Sequence, residues 1–146
     1  MSPASPDTRA DLATRLRLAV TRLARRLRQQ TESRISPTQQ SALATIERQG
    51  PLTLGELAAV EQVQPPTITA AVGRLEEQGL VTRMGDIADR RVTRVEITPA
   101  GSRLLEASRS RKNAYLALRL RGLSASDRAT LEAAAGILEG LLEDTP

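Results

Sequence analysis

Helix starts are written into this chain at several points, and they cut it into segments before any other feature is considered. At Ser36-Pro37-Thr38-Gln39, serine can cap, proline suits the first helical position, and glutamine completes a capping box. Thr53-Leu54-Gly55-Glu56 repeats the box, with Thr53 as cap and Glu56 reaching back. Gln64-Pro65-Pro66-Thr67 places two prolines together, which a helix tolerates only in its first turn. Thr98-Pro99 and Ser124-Ala125-Ser126-Asp127 mark two further starts. The stops are as clear: Gly50-Pro51, Gly79 and Gly122.

The segments between these marks differ in kind. Residues 8–31 read as one long amphipathic helix, with Leu12, Leu16, Val20, Leu23 and Leu27 on a single stripe. Arg15, Arg22, Arg25, Arg26 and Arg28 lie off it and read as a solvated face. A second helix runs to Arg48 with Leu43 and Ile46 inward, and a short third one to Val60. The fourth, Pro66 to Gln78, turns Ile68, Ala71, Val72 and Leu75 inward. Residues 99–121 and 125–143 are again long helices, the last with a stripe of Leu131, Ala134, Ala135, Leu138, Leu141 and Leu142.

Between the fourth and fifth helices the period changes. Leu80-Val81-Thr82-Arg83 reads as a short strand. Thr93 to Ile97 alternates, with Val95 and Ile97 on one face and Arg94 and Glu96 on the other. The polar residues between them make a hairpin with a long tip. The expected fold is therefore mainly α with one β-hairpin, in the order α-α-α-α-β-β-α-α. At 146 residues the chain is one domain, with terminal helices over 8–35 and 99–143 and a central lobe over 36–98.

Composition removes most catalytic chemistry. The chain has no His and no Cys, so it lacks the Ser-His-Asp and Cys-His systems, Cys/His zinc sites, disulfides and thiol switches. Its single lysine is Lys112. Enzyme activity, cofactors and metal sites are not expected. The 21 basic and 17 acidic residues give a net charge of +4, which suits a polyanionic partner. The sign varies along the chain: eight basic and three acidic groups over 1–36, six and one over 99–122, one and five over 123–146. No stretch approaches the ~18 apolar residues of a membrane span, and Met1 to Asp7 is not a secretory signal. Ser2, Pro3, Ser5 and Pro6 read as a short disordered lead, and the expected compartment is the cytoplasm, with no membrane partner.

Two short helices in tight succession, followed by a hairpin, have the order of a winged helix-turn-helix. The fourth helix can lie in a major groove, its N-terminus directing positive charge and free N–H groups at phosphate. The tip, Asp86 to Arg91, can reach the adjacent minor groove, where a cation meets strong negative potential. A winged helix used for protein assembly without DNA is the alternative; Arg74 and Arg91 discriminate, because such a module has no use for a cationic tip.

Over residues 9–142 the sequence resembles the MarR family of bacterial transcriptional regulators. The residues that carry the likeness are Leu54-Gly55-Glu56-Leu57-Ala58, Thr67-Ile68-Thr69, Arg74 through Val81, Asp89-Arg90-Arg91, and Ile97-Thr98-Pro99-Ala100-Gly101. The resemblance implies a homodimer of intertwined terminal helices, hence a pseudo-palindromic duplex with half-sites roughly 34 Å apart. It implies that Pro66, Thr67, Thr69, Ala70 and Arg74 lie on the DNA-facing side of the recognition helix. It makes Arg91 the wing-tip arginine, beside Arg90 and steadied by Asp89. Arg74 is suited to phosphate, to a guanine edge, or to an ion pair within the chain. Thr67 is suited equally to a cap, and Asp89–Arg91 to a turn. The family often has arginine where this chain has Ala70 and an acidic residue where it has Gly73. Many members release DNA on binding a small phenolic or anionic effector, and a basic residue of the first or fifth helix can serve that role here. Tyr115 is suited to such a pocket or to an ordinary interface. The peroxide-sensing branch needs a cysteine and is excluded.

Overall fold

The computed structural model describes residues 6–31 and 34–143. Its elements run α1 (Pro6–Gln29), α2 (Pro37–Gln49), β1 (Leu52–Thr53), α3 (Leu54–Glu61), α4 (Pro65–Glu77), β2 (Val81–Gly85), β3 (Thr93–Ile97), α5 (Pro99–Arg121) and α6 (Ala125–Glu143). Residues 1–5 of the expected lead lie outside the described residues. Pro6 and Asp7, assigned to that lead, instead open α1, where an acidic side chain in the first turn favours the helix dipole.

The anticipated caps form. Ser36 Oγ accepts the Gln39 amide while Gln39 Oε1 accepts the Ser36 amide, both at 3.2 Å. Thr53 and Glu56 make the same reciprocal pair. At the far end of α4, Gly79 takes φ +71°. Its amide bonds the Glu76 carbonyl, and the Leu80 amide bonds that of Leu75. This left-handed stop is one that a glycine adopts without steric cost.

The sheet differs from the expected hairpin by one strand. Its order is β1-β3-β2, with Leu52 opposite Val95 and Thr53 opposite Arg94. β1 is two residues long, too short for any alternation to announce it. β2 and β3 pair from Val81–Ile97 to Gly85–Thr93.

The core lies almost wholly in the central lobe. Leu43 and Ile46 of α2, Leu57 of α3, and Ile68, Val72 and Leu75 of α4 pack with Leu80, Val81 and Val95. From α5 only Leu105 joins this buried cluster. Gln40 donates to Ser108 at 3.0 Å and Arg109 pairs with Glu47 at 2.9 Å, so α5 is strapped to α2. The terminal helices are a different matter. None of the described residues of α6 is buried, and Ile137 and Leu142 are 67% and 83% exposed. Leu12, Val20 and Leu23 of the α1 stripe are exposed too. The stripes read from the sequence exist, but this chain covers them only in part: Leu16, Leu27 and Leu138 are half-buried and none of the three is in the core. No described helix is long and apolar enough to cross a membrane.

Candidate nucleic-acid interface

α3 and α4 are joined through Gln62, Val63 and Gln64. Gln62 takes the left-handed conformation, φ 55° and ψ 44°, and the Val63 amide returns to the Ala58 carbonyl. The turn is thus made by a non-glycine residue in a conformation that costs it roughly 1–2 kcal/mol, between helices whose Leu57, Ile68 and Val72 are buried in one core.

The two faces of α4 separate as the 3.6 period requires. Ile68, Ala71, Val72 and Leu75 are buried, whereas Pro66, Thr67, Thr69, Ala70 and Arg74 are all exposed. Thr69 donates its hydroxyl to the Pro65 carbonyl at 2.9 Å. Its oxygen keeps acceptor capacity and its methyl is available to a thymine methyl. Thr67 is the third helical residue and not the cap, a position held by Gln64. Arg74 has no carboxylate within ion-pair distance among the described residues. The ion-pair alternative for that side chain is therefore not realised.

One expectation about this helix fails. Free N–H groups were anticipated at its N-terminus. Pro65 and Pro66 have no N–H, and the Thr67 and Ile68 amides both bond the Gln64 carbonyl. The helix presents its dipole and its side chains at that end, but no spare backbone donor. The doubled proline in the sequence already contained this signal.

The wing tip is a closed polar turn. The Asp86 amide bonds the Val92 carbonyl, and Asp86 Oδ1 accepts the Ala88 amide. Asp89 grips Arg91 at three points: the Arg91 amide at 3.0 Å and Nε at 3.2 Å on Oδ1, and Nη2 at 3.4 Å on Oδ2. The Arg91 guanidinium, and then its amide, hold the Asp89 carboxyl below its ordinary pKa. The Arg91 side chain is nonetheless 91% exposed. The carboxylate aims the guanidinium without shielding it. Arg90 beside it is exposed as well.

Two positioning contacts were not foreseen. Arg94 of β3 reaches Glu56 of α3 at 3.4 Å and Asp86 at the start of the wing tip at 3.6 Å. Arg83 of β2 reaches Glu76 of α4 at 3.0 Å. Together they tie the wing to both helices of the turn. The alternation of the strand marked Arg94 as outward, but the sequence has no mark for what it meets there.

A cavity of about 500 Å³ opens between the lobe and α5. Arg34, Arg103 and Arg111 line it beside Ile35, Leu80 and Leu104. Tyr115 is not among its lining residues. It sits in a separate cleft between α1 and α5.

Comparison with known proteins agrees with this architecture. The sequence model of the MarR family matches residues 35–93. An HTH-type transcriptional regulator of Mycobacterium tuberculosis is 38% identical over 141 residues, which is 96% of this chain and 99% of the relative. The HTH-type transcriptional repressor MdtR of Bacillus subtilis is 30% identical over 83 residues, 57% of this chain and 54% of that one. Among solved structures, a MarR family protein from Bacillus stearothermophilus superposes with a TM-score of 0.82 at 29% identity, covering 97% of this chain and all of the other. The fold, the closed helix-turn-helix and the near full-length match lead to one conclusion: this chain belongs to the MarR family of helix-turn-helix transcriptional regulators.

Proposed function

We propose that the protein is a homodimeric, sequence-specific DNA-binding regulator that represses its own or a neighbouring operon. The observation that carries this reading is a pair of arginines. Arg74 stands without an acidic partner among the described residues on the outer face of α4, and Arg91 is held at the wing tip by Asp89 with its side chain exposed. α4 enters the major groove with Pro66, Thr67, Thr69, Ala70 and Arg74 toward the bases and phosphates. Arg91, with Arg90 beside it and Asp89 steadying it, enters the neighbouring minor groove. Residues 36–98 form the DNA-binding lobe.

Residues 8–35 and 99–143 form the dimerisation region in this reading. Its support is the largely exposed apolar stripe of α1 and an α6 without a buried residue. Exposed apolar side chains gathered on one helix face, rather than scattered singly, mark an interaction surface. The repressor named among the relatives supports the sign of regulation. The cavity, lined by Arg34, Arg103 and Arg111 beside Ile35 and Leu104, suits a small anionic or phenolic effector, whose charge meets guanidinium while its ring meets the two aliphatic side chains.

The test is fluorescence anisotropy at about 150 mM salt against the upstream intergenic duplex and a scrambled duplex. A preference of ~1000-fold or more for the native duplex is the expected result. Equal weak binding to both overturns sequence specificity. Absence of binding to either overturns the DNA-binding reading and favours an assembly module. With the complex in hand, salicylate at millimolar concentration probes the effector cavity by release of the duplex.

A further inference from the structure

Two charged features lie outside the DNA-binding lobe, and they are opposite in sign. The first is a cleft of about 510 Å³ between α1 and α5, lined by Arg22, Arg25, Arg26 and Arg119 with Tyr115. The Arg119 guanidinium carbon lies 5.2 Å from the centroid of the Tyr115 ring. Arg26, through a hydrogen bond, and Arg119 lower the pKa of the Tyr115 phenol. No carboxylate of the described residues comes within ion-pair distance of any of these four arginines. Four like charges sharing one cleft repel one another, so the arrangement calls for an anion.

The second feature is α6. Glu132, Glu139 and Glu143 recur at steps of seven and four residues, which places them on one strip of the helix. The strip borders the apolar face of Leu131, Leu138 and Leu142. All three carboxylates are exposed, and none is in an ion pair of the described residues. On α1, Arg15, Arg22 and Arg26 recur at the same steps of seven and four, along the edge of the stripe from Leu12 to Leu27. Each helix thus has a largely exposed apolar face flanked by a charged strip of equal spacing and opposite sign. Flanking charges of this kind choose partners for coiled helices.

We infer that the arginine strip of α1, with its cleft against α5, receives the glutamate strip of α6 from a second copy of this chain, so that an ion ladder beside an apolar seam selects the subunit partner. The inference rests on the homodimer reading above and adds to it which charges meet. Charge complementarity at an interface rejects wrong partners more than it adds raw affinity.

The experiment is sedimentation equilibrium of three full-length proteins: wild type, Arg15→Glu/Arg22→Glu/Arg26→Glu, and Glu132→Lys/Glu139→Lys/Glu143→Lys. Glutamate and lysine are good helix formers, so helix propensity is preserved. Each triple variant alone is expected to weaken the dimer by about tenfold or more. An equimolar mixture of the two is expected to restore a dimer whose native mass is that of the heterodimer. If both variants dimerise like wild type and mix at random, the ladder is wrong while the dimer stands. If wild type is a monomer at all concentrations, the dimer reading fails and takes the ladder with it. If each variant is weakened and mixing does not rescue, the strips do not face one another. Stoichiometric binding of inorganic triphosphate to the wild-type dimer, abolished by the arginine changes with the dimer intact, also overturns the inference and makes the cleft a small-anion site.

Discussion

The hydroxyl of Thr98 donates to the carbonyl of Gly79 at 2.6 Å and accepts the amide of Gly101 at 3.2 Å. One side chain therefore joins the left-handed end of α4 to the first turn of α5. The Thr98 amide adds a bond to the Leu80 carbonyl at 3.0 Å. Through this joint α4 is anchored to the long helix that leads out of the lobe. A cap residue and a helix stop, each legible by itself, have become one connection.

The joint leaves no room at Gly101. A Cβ there would lie 2.3 Å from the Leu80 carbonyl oxygen and 2.7 Å from Ile97 Cγ1. Gly101→Ala is expected to destabilise the protein by about 1–3 kcal/mol, as overpacking does. The measurement is the urea midpoint at constant slope. An unchanged midpoint would mean that α5 can back away from Leu80 freely.

Gly73 is the opposite case. A Cβ at this position in α4 meets nothing within 4 Å, and its φ is not in the left-handed region. Glycine in a helix interior costs about 1 kcal/mol relative to alanine. Gly73→Ala should therefore raise stability by roughly that amount in the same unfolding assay. Neither close packing nor an unusual turn within the chain accounts for this glycine. A variant that is more stable yet binds the duplex less well would place the glycine against DNA.

Arg91→Ala is expected to weaken binding to native and scrambled duplexes alike. It should also reduce the slope of log affinity against log salt by about one, because one fewer counterion is displaced. Anisotropy titrations at several salt concentrations check both effects. A retained slope would remove Arg91 from the phosphate backbone and leave its role within the wing turn.

Asp89 reports the same contact through pH. Its folded pKa is held below the ordinary value by the Arg91 side chain first and the Arg91 amide second. A depressed carboxyl contributes stability that is complete above the unfolded pKa and disappears as pH falls through the lower folded value. The wing turn should accordingly loosen only in strong acid, not near neutrality. Carboxyl-detected NMR of the wild type should find Asp89 titrating below a typical aspartate. In Arg91→Ala the titration should move up toward the ordinary value, since only the weaker backbone contact remains. Identical titrations in the two proteins would show that the observed grip has no energetic weight.

Much of the lobe was legible because its determinants are local. A capping box closes within three residues, so Ser36–Gln39 and Thr53–Glu56 could be read from spacing alone. The inner face of α4 follows from the helical period, and Asp89 and Arg91 are two residues apart. The candidate DNA-facing side chains came instead from the resemblance to the MarR family, and the helical period agrees with their exposure. The lack of free N–H groups at the start of α4 is local as well. Prolines at its first two positions have no amide to offer a phosphate, and that is visible in the letters.

The sequence by itself determined where helices begin and end to within about two residues, which face of each is apolar, and which residues stand at the wing tip, since these depend on hydrogen bonds and periods spanning a few residues. Only the tertiary structure decided the rest. β1 exists because β3 lies beside it, as Leu52 pairs with Val95 across 43 positions. Arg94 is a strut because folding brings Glu56 and Asp86 to its two sides. The terminal stripes stay largely exposed because the lobe completes its core with little more than Leu105 from α5. Such contacts depend on how the chain closes over long separations, and no local pattern encodes that closure.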